Sequence, residues 1–135
     1  MALAAGCLTV LILAAYLTPS PNGVATHAAL GLHECQWLTR MNLPCPSCGM
    51  TTSFAWFVRG NLLASLYVQP MGMMLAMLAC ITFWAALYVG VTGKPIARLL
   101  RMIPTRYYVV PLMAWAIAAW GWKILIHLNG WDGWR

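Results

Sequence analysis

Of the 135 residues in this chain, 62% are hydrophobic and only 7% are charged, which excludes a water-soluble globule with a polar surface and favours an integral membrane protein. Eight Lys and Arg residues against two acidic ones give a formal net charge of +6, which we expect to lie near water or lipid headgroups. These cations are scattered among apolar runs and form no cluster interleaved with aromatic residues, which argues against a nucleic-acid partner.

The first predicted element is an apolar helix over residues 2–18, the first of three segments long enough to cross a bilayer, which takes about 20 helical residues. It ends at Pro19, where a run containing proline and glycine begins that cannot continue a helix. We interpret this helix as a retained membrane anchor. A cleaved signal peptide is the alternative, but the usual positively charged start is missing, since no Lys or Arg precedes Arg40.

Residues 19–69 form a loop whose stretch over residues 26–67 is too apolar for a flexible linker, and we expect it to fold at the membrane surface with short interfacial helices. One such helix is predicted over residues 54–59, with its cap supplied by a hydroxyl side chain among residues 51–53. A second is predicted over residues 62–67. Between them, the arginine, glycine and asparagine at 59–61 end one helix and cap the next.

The second and third predicted spans comprise residues 70–92 and 107–127. Pro70 is tolerated in the first turn of the second span, and Gly93 follows its end. Four tryptophans gather toward the far end of the third span, as an interfacial aromatic belt would: Trp120, Trp122, Trp131 and Trp134.

Two titratable side chains lie near that same end of the third span. We expect Lys123 to extend its ammonium to the membrane interface, because long basic side chains keep their charge in water. We expect His127 to be hydrogen-bonded to water or to a neighbour rather than to bind a metal or a pigment.

The connector between the second and third spans carries four cations and no acid, and we expect these cations to bind lipid headgroups: Lys94, Arg98, Arg101 and Arg106. Because cytoplasmic loops carry an excess of Lys and Arg, the connector is predicted to lie inside the cell. The N-terminus is then inside, and residues 19–69 and the C-terminus are outside. The expected location is a bacterial inner membrane, whose outer side is oxidising. All of residues 1–135 are assigned to one membrane domain.

Small residues on the second and third spans recur at the spacing that lets two helices approach closely. Gly72 and Ala76 lie four residues apart on the second span, and Ala114 and Ala118 lie four apart on the third. These four residues are the predicted helix-packing positions.

The motif Cys45-Pro46-Ser47-Cys48-Gly49 places two thiols at a spacing that suits a metal knuckle or a disulfide. Pro46 fixes one backbone angle between the thiols. Gly49 permits the tight or left-handed turn that lets backbone N–H groups point at sulfur. Any chemistry of this chain is expected at this motif.

The stretch over residues 35–72 resembles a family of small bacterial membrane proteins of unknown function. The family signature is a Cys-Pro-x-Cys-Gly-(Leu or Met)-Thr-Arg run, an Arg-Gly-Asp or Arg-Gly-Asn turn and an Asn-Pro helix start, which residues 45–51 and 59–61 largely match. Two positions depart from it, since Thr52 stands where the family usually carries arginine and Gln69 where it usually carries asparagine. The resemblance implies topology and motif, and no activity.

Three kinds of chemistry are open for the cysteines. In the first, Cys45 and Cys48 are half of a tetrahedral metal site that Cys35 completes with His33 or His27. Soft thiolates and imidazole at such spacing suit zinc or copper, which is the cofactor that this alternative implies. A secure structural zinc site usually has a second closely spaced pair, and this chain offers only His33 and Cys35.

The second alternative is a thiol–disulfide redox pair, with one thiol at a helix start where the dipole favours the thiolate. No βαβ pattern surrounds the pair, so a membrane relay through Cys35 is the form that such a function would take. The third is a structural disulfide, Cys35–Cys45 or Cys45–Cys48, that fastens the outer loop. Neither alternative needs a cofactor.

The sequence alone favours the structural disulfide and a non-catalytic role, as an accessory or assembly subunit of a larger membrane complex. The two acidic residues, Glu34 and Asp132, lie in separate segments, and no serine has an evident histidine and acid partner. The expected partners are therefore the lipid bilayer and other membrane protein subunits, and no enzyme activity is expected.

Overall fold

The computed structural model describes residues 2–23, 26, 31, 40–93, 104 and 106–134. This part of the chain contains five α-helices and no strand: α1 (Ala2–Tyr16), α2 (Met50–Val58), α3 (Leu62–Val68), α4 (Pro70–Thr92) and α5 (Arg106–Leu128). The predicted all-α class is confirmed for the described residues.

Helices α4 and α5 are the two described helices that are long and apolar enough to cross a membrane. Each has 23 residues and is therefore about 34 Å long, against a hydrocarbon core of about 30 Å. Pro70 occupies the first turn of α4, and the helix ends at Gly93, whose backbone is left-handed with φ of 67°. Both helices leave most of their apolar surface exposed, which favours lipid as their surroundings.

Helix α1 corrects the prediction of three membrane spans. It has 15 residues and a length of about 22 Å, which is shorter than the hydrocarbon core. The last backbone bond of this helical stretch runs from Leu17 to Leu13, because the prolines that follow cannot extend the helix. Helix α1 packs along α4 and α2 as a shorter apolar helix. The described residues thus contain two candidate spans and not three.

The predicted interfacial helices are present as α2 and α3, but α2 begins earlier than expected. Its N-cap is Gly49, with φ of 85° and no side-chain cap bond, and Ser53 N–H donates to Gly49 O at 2.8 Å. The predicted cap by a hydroxyl among residues 51–53 is wrong, since these residues lie inside the helix. The cap by Asn61 is confirmed, because its Oδ1 accepts the Ala64 N–H at 3.1 Å.

Hydroxyl groups join α2 to α3 in a buried contact that leaves no room for larger side chains. Ser65 Oγ donates to Ser53 O at 2.8 Å, and Ser53 Oγ lies 2.9 Å from Ser65 O and 3.1 Å from Gln69 O. Helix α4 approaches the same serine at Gly72, where a Cβ would lie 2.8 Å from Ser53 Cβ. The first turn of α2 is therefore held by α3 and α4 together.

The small residues predicted to pack the spans are placed on different kinds of surface. Gly72 and Ala76 are buried on α4, where Gly72 faces α2. Ala114 and Ala118 are exposed. The buried residues of α5 lie on another face of that helix, about a quarter of a turn away or more: Ala119, Lys123 and Ile126.

The cysteine motif and the C-terminal segment lie at the same end of the molecule, where α4 begins and α5 ends. Trp120 Nε1 donates to Pro44 O at 3.1 Å, and Tyr67 Oη donates to Trp131 O at 2.9 Å. The connector after α4 joins the opposite ends of the two long helices. This agrees with the predicted placement of the motif and the C-terminus on one side, while the assignment of that side to the outside stays a prediction.

Candidate functional site

The motif forms a hydrogen-bonded turn that leads directly into α2. Cys48 N–H donates to Cys45 O at 2.9 Å, and Met50 N–H donates to Ser47 O at 3.2 Å. The left-handed backbone of Gly49 then turns the chain into the helix. Both thiols consequently lie at the N-terminal end of α2.

The two sulfur atoms are adjacent and differ in their exposure. Cys45 Sγ donates to Cys48 Sγ at 3.3 Å, which is longer than the roughly 2.05 Å of a disulfide bond. The pair is in the dithiol state, so the predicted Cys45–Cys48 disulfide is not formed in this structure. Cys45 is half-buried and also contacts Ser47 Oγ at 3.2 Å, whereas only 5% of Cys48 is exposed.

The other predicted ligands of these sulfurs cannot be placed beside them. Cys35 and His33, and with them the Cys35–Cys45 disulfide, lie outside the described residues. Within the described part of the chain, no group of three or more His, Cys, Asp or Glu side chains could hold a metal ion. The zinc or copper site completed by Cys35 and His33 stays a prediction.

Side chains from both long helices hold the motif in place. Gln69, at the start of α4, donates from Nε2 to Pro46 O at 2.9 Å. Trp120, on α5, donates to the carbonyl of the buried Pro44. The sequence indicates Gln69 only as a departure from a family pattern and Trp120 only as part of an aromatic belt. Their role as clamps on the motif depends on contacts that no local pattern indicates.

Lys123 corrects the expectation that its ammonium reaches the interface. Its side chain is fully buried, and Nζ forms an ion pair with Asp132 Oδ1 at 3.1 Å. Nζ also donates to Gly23 O at 3.4 Å, and its Cε lies 3.5 Å from the position that a Cβ on Gly49 would take. Lys123 therefore lies directly behind the motif turn.

Asp132 connects Lys123 to a second titratable side chain. Its Oδ2 is bonded to His127 Nδ1, one turn beyond Lys123 on α5. The hydrogen bond of His127 to a neighbour is thus as expected, although the sequence does not indicate which neighbour. The carboxylate is partly exposed, so the group formed by Lys123, Asp132 and His127 reaches from the buried side of the motif to the surface.

The turn that follows α1 closes over this group. A Cβ on Gly23 would run into the carbonyl of Asp132, and a Cβ on Gly133 would run into the carbonyl of Pro21. The two backbones are thus in direct contact. Beside them lies a hollow of about 670 Å³ with a partly polar lining, formed by Pro21, Asn22, Tyr67, Gly130, Trp131, Asp132 and Gly133.

Of the four cations predicted to bind lipid headgroups, Arg106 lies among the described residues. Arg106 begins α5, is exposed, and places its guanidinium carbon 5.4 Å from the centre of the Tyr107 ring. Lys94, Arg98 and Arg101 lie outside the described residues. The arginine that the resembled family carries after its motif is Thr52 here, a buried residue whose hydroxyl contacts Thr26 Oγ1 at 2.6 Å.

Comparison with known proteins identifies one family similarity. The sequence profile of a family described as a protein of unknown function (DUF2752) matches residues 35–84, which is less than half of the chain. The matched segment contains the motif, α2, α3 and the first part of α4, and the family description gives no activity. Comparison with curated proteins and with solved structures gives no match.

Proposed function

We propose that this chain is a membrane-anchored thiol–disulfide redox protein in which Cys45 and Cys48 are the reactive pair. The observation that carries the proposal is the arrangement of the two sulfurs, which lie 3.3 Å apart at the N-terminal end of α2 with one half-buried and the other buried. A small shift of either side chain brings them to bonding distance. Helices α4 and α5 anchor the pair in the bilayer, which we place in a bacterial inner membrane with the motif outside.

The partner of this pair is a disulfide in another protein. The more accessible Cys45 attacks one partner sulfur as a thiolate, the partner disulfide breaks, and its other sulfur leaves and takes up a proton. Cys48 then attacks Cys45 Sγ, which releases the second partner sulfur. The pair loses two electrons and becomes a disulfide, while the partner disulfide gains them and becomes two thiols. The reverse sequence of steps oxidises a partner dithiol.

The proposal is tested by equilibrating the purified full chain in detergent with mixtures of reduced and oxidised glutathione. Alkylation and mass spectrometry then give the fraction of Cys45–Cys48 disulfide. We expect a reversible transition that Cys45→Ser and Cys48→Ser each abolish, and that the control Cys80→Ser leaves unchanged, because Cys80 lies on α4 away from the motif. A pair that stays in one state across the whole range would refute redox function.

Trapping in intact cells identifies the direction of attack. Replacing Cys48 by serine removes the second attack, so we expect Cys48→Ser to accumulate a mixed disulfide between Cys45 and the partner. Cys45→Ser should accumulate none. Elemental analysis of the same anaerobically purified protein separates the metal alternative, since stoichiometric zinc or copper that is lost in both serine variants would favour a metal site instead.

An accessory or assembly role, the first expectation from the sequence, stays a prediction. It requires larger membrane proteins to co-purify in gentle detergent with the wild-type chain and equally with the double variant Cys45→Ser/Cys48→Ser. If co-purification instead depends on the two cysteines, the partner is bound through the redox pair.

A further inference from the structure

We infer that Lys123 is a positioning residue that favours the thiolate of Cys48, the buried member of the pair, and that Asp132 is the counter-ion of this ammonium. The inference rests on the proposed redox function and extends it, because it specifies which sulfur carries the negative charge. It is carried by a buried cation that contacts the motif turn at Gly49, the residue after Cys48.

A buried ammonium is retained only where anions and hydrogen-bond acceptors face it. Two such groups bond to Lys123, each from a different segment. They are the carboxylate of Asp132 from the segment after α5, at 3.1 Å, and the carbonyl of Gly23 from the turn after α1, at 3.4 Å. The motif lies against the same side chain at Gly49, the residue after Cys48. On α5 itself the neighbouring titratable group is His127, which is bonded to Asp132. The titratable group next to Cys48 is Cys45, whose Sγ lies 3.3 Å from Cys48 Sγ.

The glycine of the motif makes this approach feasible. The side chain of Lys123 passes against Gly49, where a Cβ would lie 3.5 Å from Lys123 Cε and 2.8 Å from the carbonyl oxygen of Gly23. Any larger residue at position 49 would therefore push away the Gly23 carbonyl that accepts from Lys123. Gly49 thus serves two purposes, since it turns the chain into α2 and lets the Lys123 side chain pass beside the motif turn.

The hydrogen bond between the sulfurs is compatible with a thiolate at Cys48. Cys45 donates its S–H and Cys48 accepts. Two positive features act on the accepting sulfur, namely the ammonium of Lys123 and the N-terminal end of α2, and both favour the thiolate. Cys48 is the buried member of the pair, so these charges act on it with little screening by water.

This arrangement gives Cys48 two roles in the exchange. It first accepts the S–H proton of Cys45, so that Cys45 can attack the partner disulfide. That proton passes to the departing partner sulfur as Cys48 attacks Cys45 Sγ, so that the pair becomes a disulfide and the partner a dithiol. Once the disulfide has formed, Asp132 remains as the counter-ion that allows Lys123 to stay charged.

The sign of the effect on the redox equilibrium follows from these charges. Lys123 stabilises the dithiol form through the thiolate, whereas the disulfide carries no charge for it to stabilise. Removing the ammonium therefore shifts the equilibrium toward the disulfide and makes the pair a stronger reductant. The fold-change in the equilibrium constant should match the fold-change in thiolate ionisation.

The test measures thiolate ionisation at Cys48 directly, by ultraviolet absorbance as a function of pH. It uses the full chain in detergent with the other four cysteines replaced by serine: Cys7, Cys35, Cys45 and Cys80. We expect Lys123→Met to lower the thiolate fraction of Cys48 at neutral pH about tenfold or more, which moves the midpoint of the Cys48 titration up by about one pH unit. Arg106→Met removes a cation at the opposite end of α5 and should leave the midpoint unchanged.

A second variant distinguishes an electrostatic role from a merely structural one. Asp132→Asn removes the anion that competes with Cys48 for Lys123, so we expect its midpoint to move in the opposite direction, to lower pH. Midpoints that move the same way in both variants, or a folded Lys123→Met with an unchanged midpoint, would overturn the inference. If Lys123→Met does not fold, the sign of the Asp132→Asn shift alone decides.

This measurement is independent of redox cycling. A wild-type chain that shows no reversible disulfide in glutathione buffers would refute the proposed function, whereas the thiolate titration of Cys48 would still give its own answer on Lys123. Conversely, a redox-active pair whose Cys48 ionisation ignores Lys123 keeps the function and refutes the inference.

Discussion

Substituting Gly72 by alanine should separate α2 from α4 at the turn that carries the motif. The added Cβ would lie 2.8 Å from Ser53 Cβ, 2.9 Å from Ser53 Oγ and 3.3 Å from Met50 Cα. Carbon atoms in contact lie about 3.5 to 4.0 Å apart, so α2 must move by roughly 0.7 Å or more. Overpacking of this kind costs about 1 to 3 kcal/mol.

A matched substitution isolates this steric cost. Gly121 lies inside α5, and a Cβ there would meet no atom within 4 Å. Alanine is favoured over glycine in a helix by about 1 kcal/mol at both positions. The gain cancels when the two variants are compared, so we expect Gly72→Ala to have a free energy of unfolding about 1 to 3 kcal/mol below that of Gly121→Ala.

Unfolding of both variants in mixed micelles with increasing denaturing detergent, followed by circular dichroism, measures this difference. The rate at which Cys45 is alkylated provides a second measurement, because Met50 directly follows the motif and should move with α2. Equal unfolding midpoints together with equal alkylation rates would contradict the close packing of Gly72 on Ser53.

Three further substitutions test contacts around the motif. Gln69→Leu should speed up alkylation of Cys45, because the hydrogen bond from Gln69 to Pro46 is lost, and an unchanged alkylation rate would contradict this role of Gln69. The free energy of unfolding should change by less than about 1 kcal/mol, because the variant also removes an Oε1 that has no hydrogen-bond partner within the described residues. Gly23→Ala should destabilise the chain by well over the roughly 1 kcal/mol expected for Gly93→Ala, because both glycines have φ near +68° but only a Cβ at position 23 would meet the Asp132 carbonyl. Chemical unfolding of the two variants measures this difference, and equal losses of stability would contradict the backbone contact. Thr52→Val should lower the free energy of unfolding by about 1 to 2 kcal/mol, because it removes the buried hydrogen bond with Thr26. Thr9→Val, on the exposed face of α1, should lower it by less than about 0.5 kcal/mol, and similar melting temperatures of the two variants would refute this expectation.

Features of the fold that depend on residues close to one another in the sequence could be predicted from it. The apolar run between Pro70 and Gly93 has local start and stop signals, and α4 has the predicted bounds. The predicted bounds of α5 differ from the observed ones by one residue at each end. For α1, the apolar run extends further than the helix, because hydrophobicity does not indicate where the last intrahelical bond forms.

The surroundings of the thiols could not be predicted in the same way. The cysteine spacing indicates where chemistry is expected, but Lys123 is separated from Gly23 by 100 positions and from the motif by more than 70. An isolated lysine near the end of an apolar helix is equally compatible with an ammonium in water and with a buried ion pair. Only the fold, which brings the turn after α1 and the segment after α5 together, distinguishes the two.

The contact between the Gly23 turn and the segment at Asp132 has a consequence for biosynthesis. The cysteines at 45 and 48 leave the ribosome long before Lys123 and Asp132 are synthesised, so during translation these two side chains are not yet beside the motif. In the proposed redox function, the pair acquires its final reactivity only when α5 has been inserted and the segment at Asp132 has packed on the Gly23 turn. Nascent chains that stop before α5 are then expected to carry two thiols without Lys123, open to premature oxidation or to capture by other proteins.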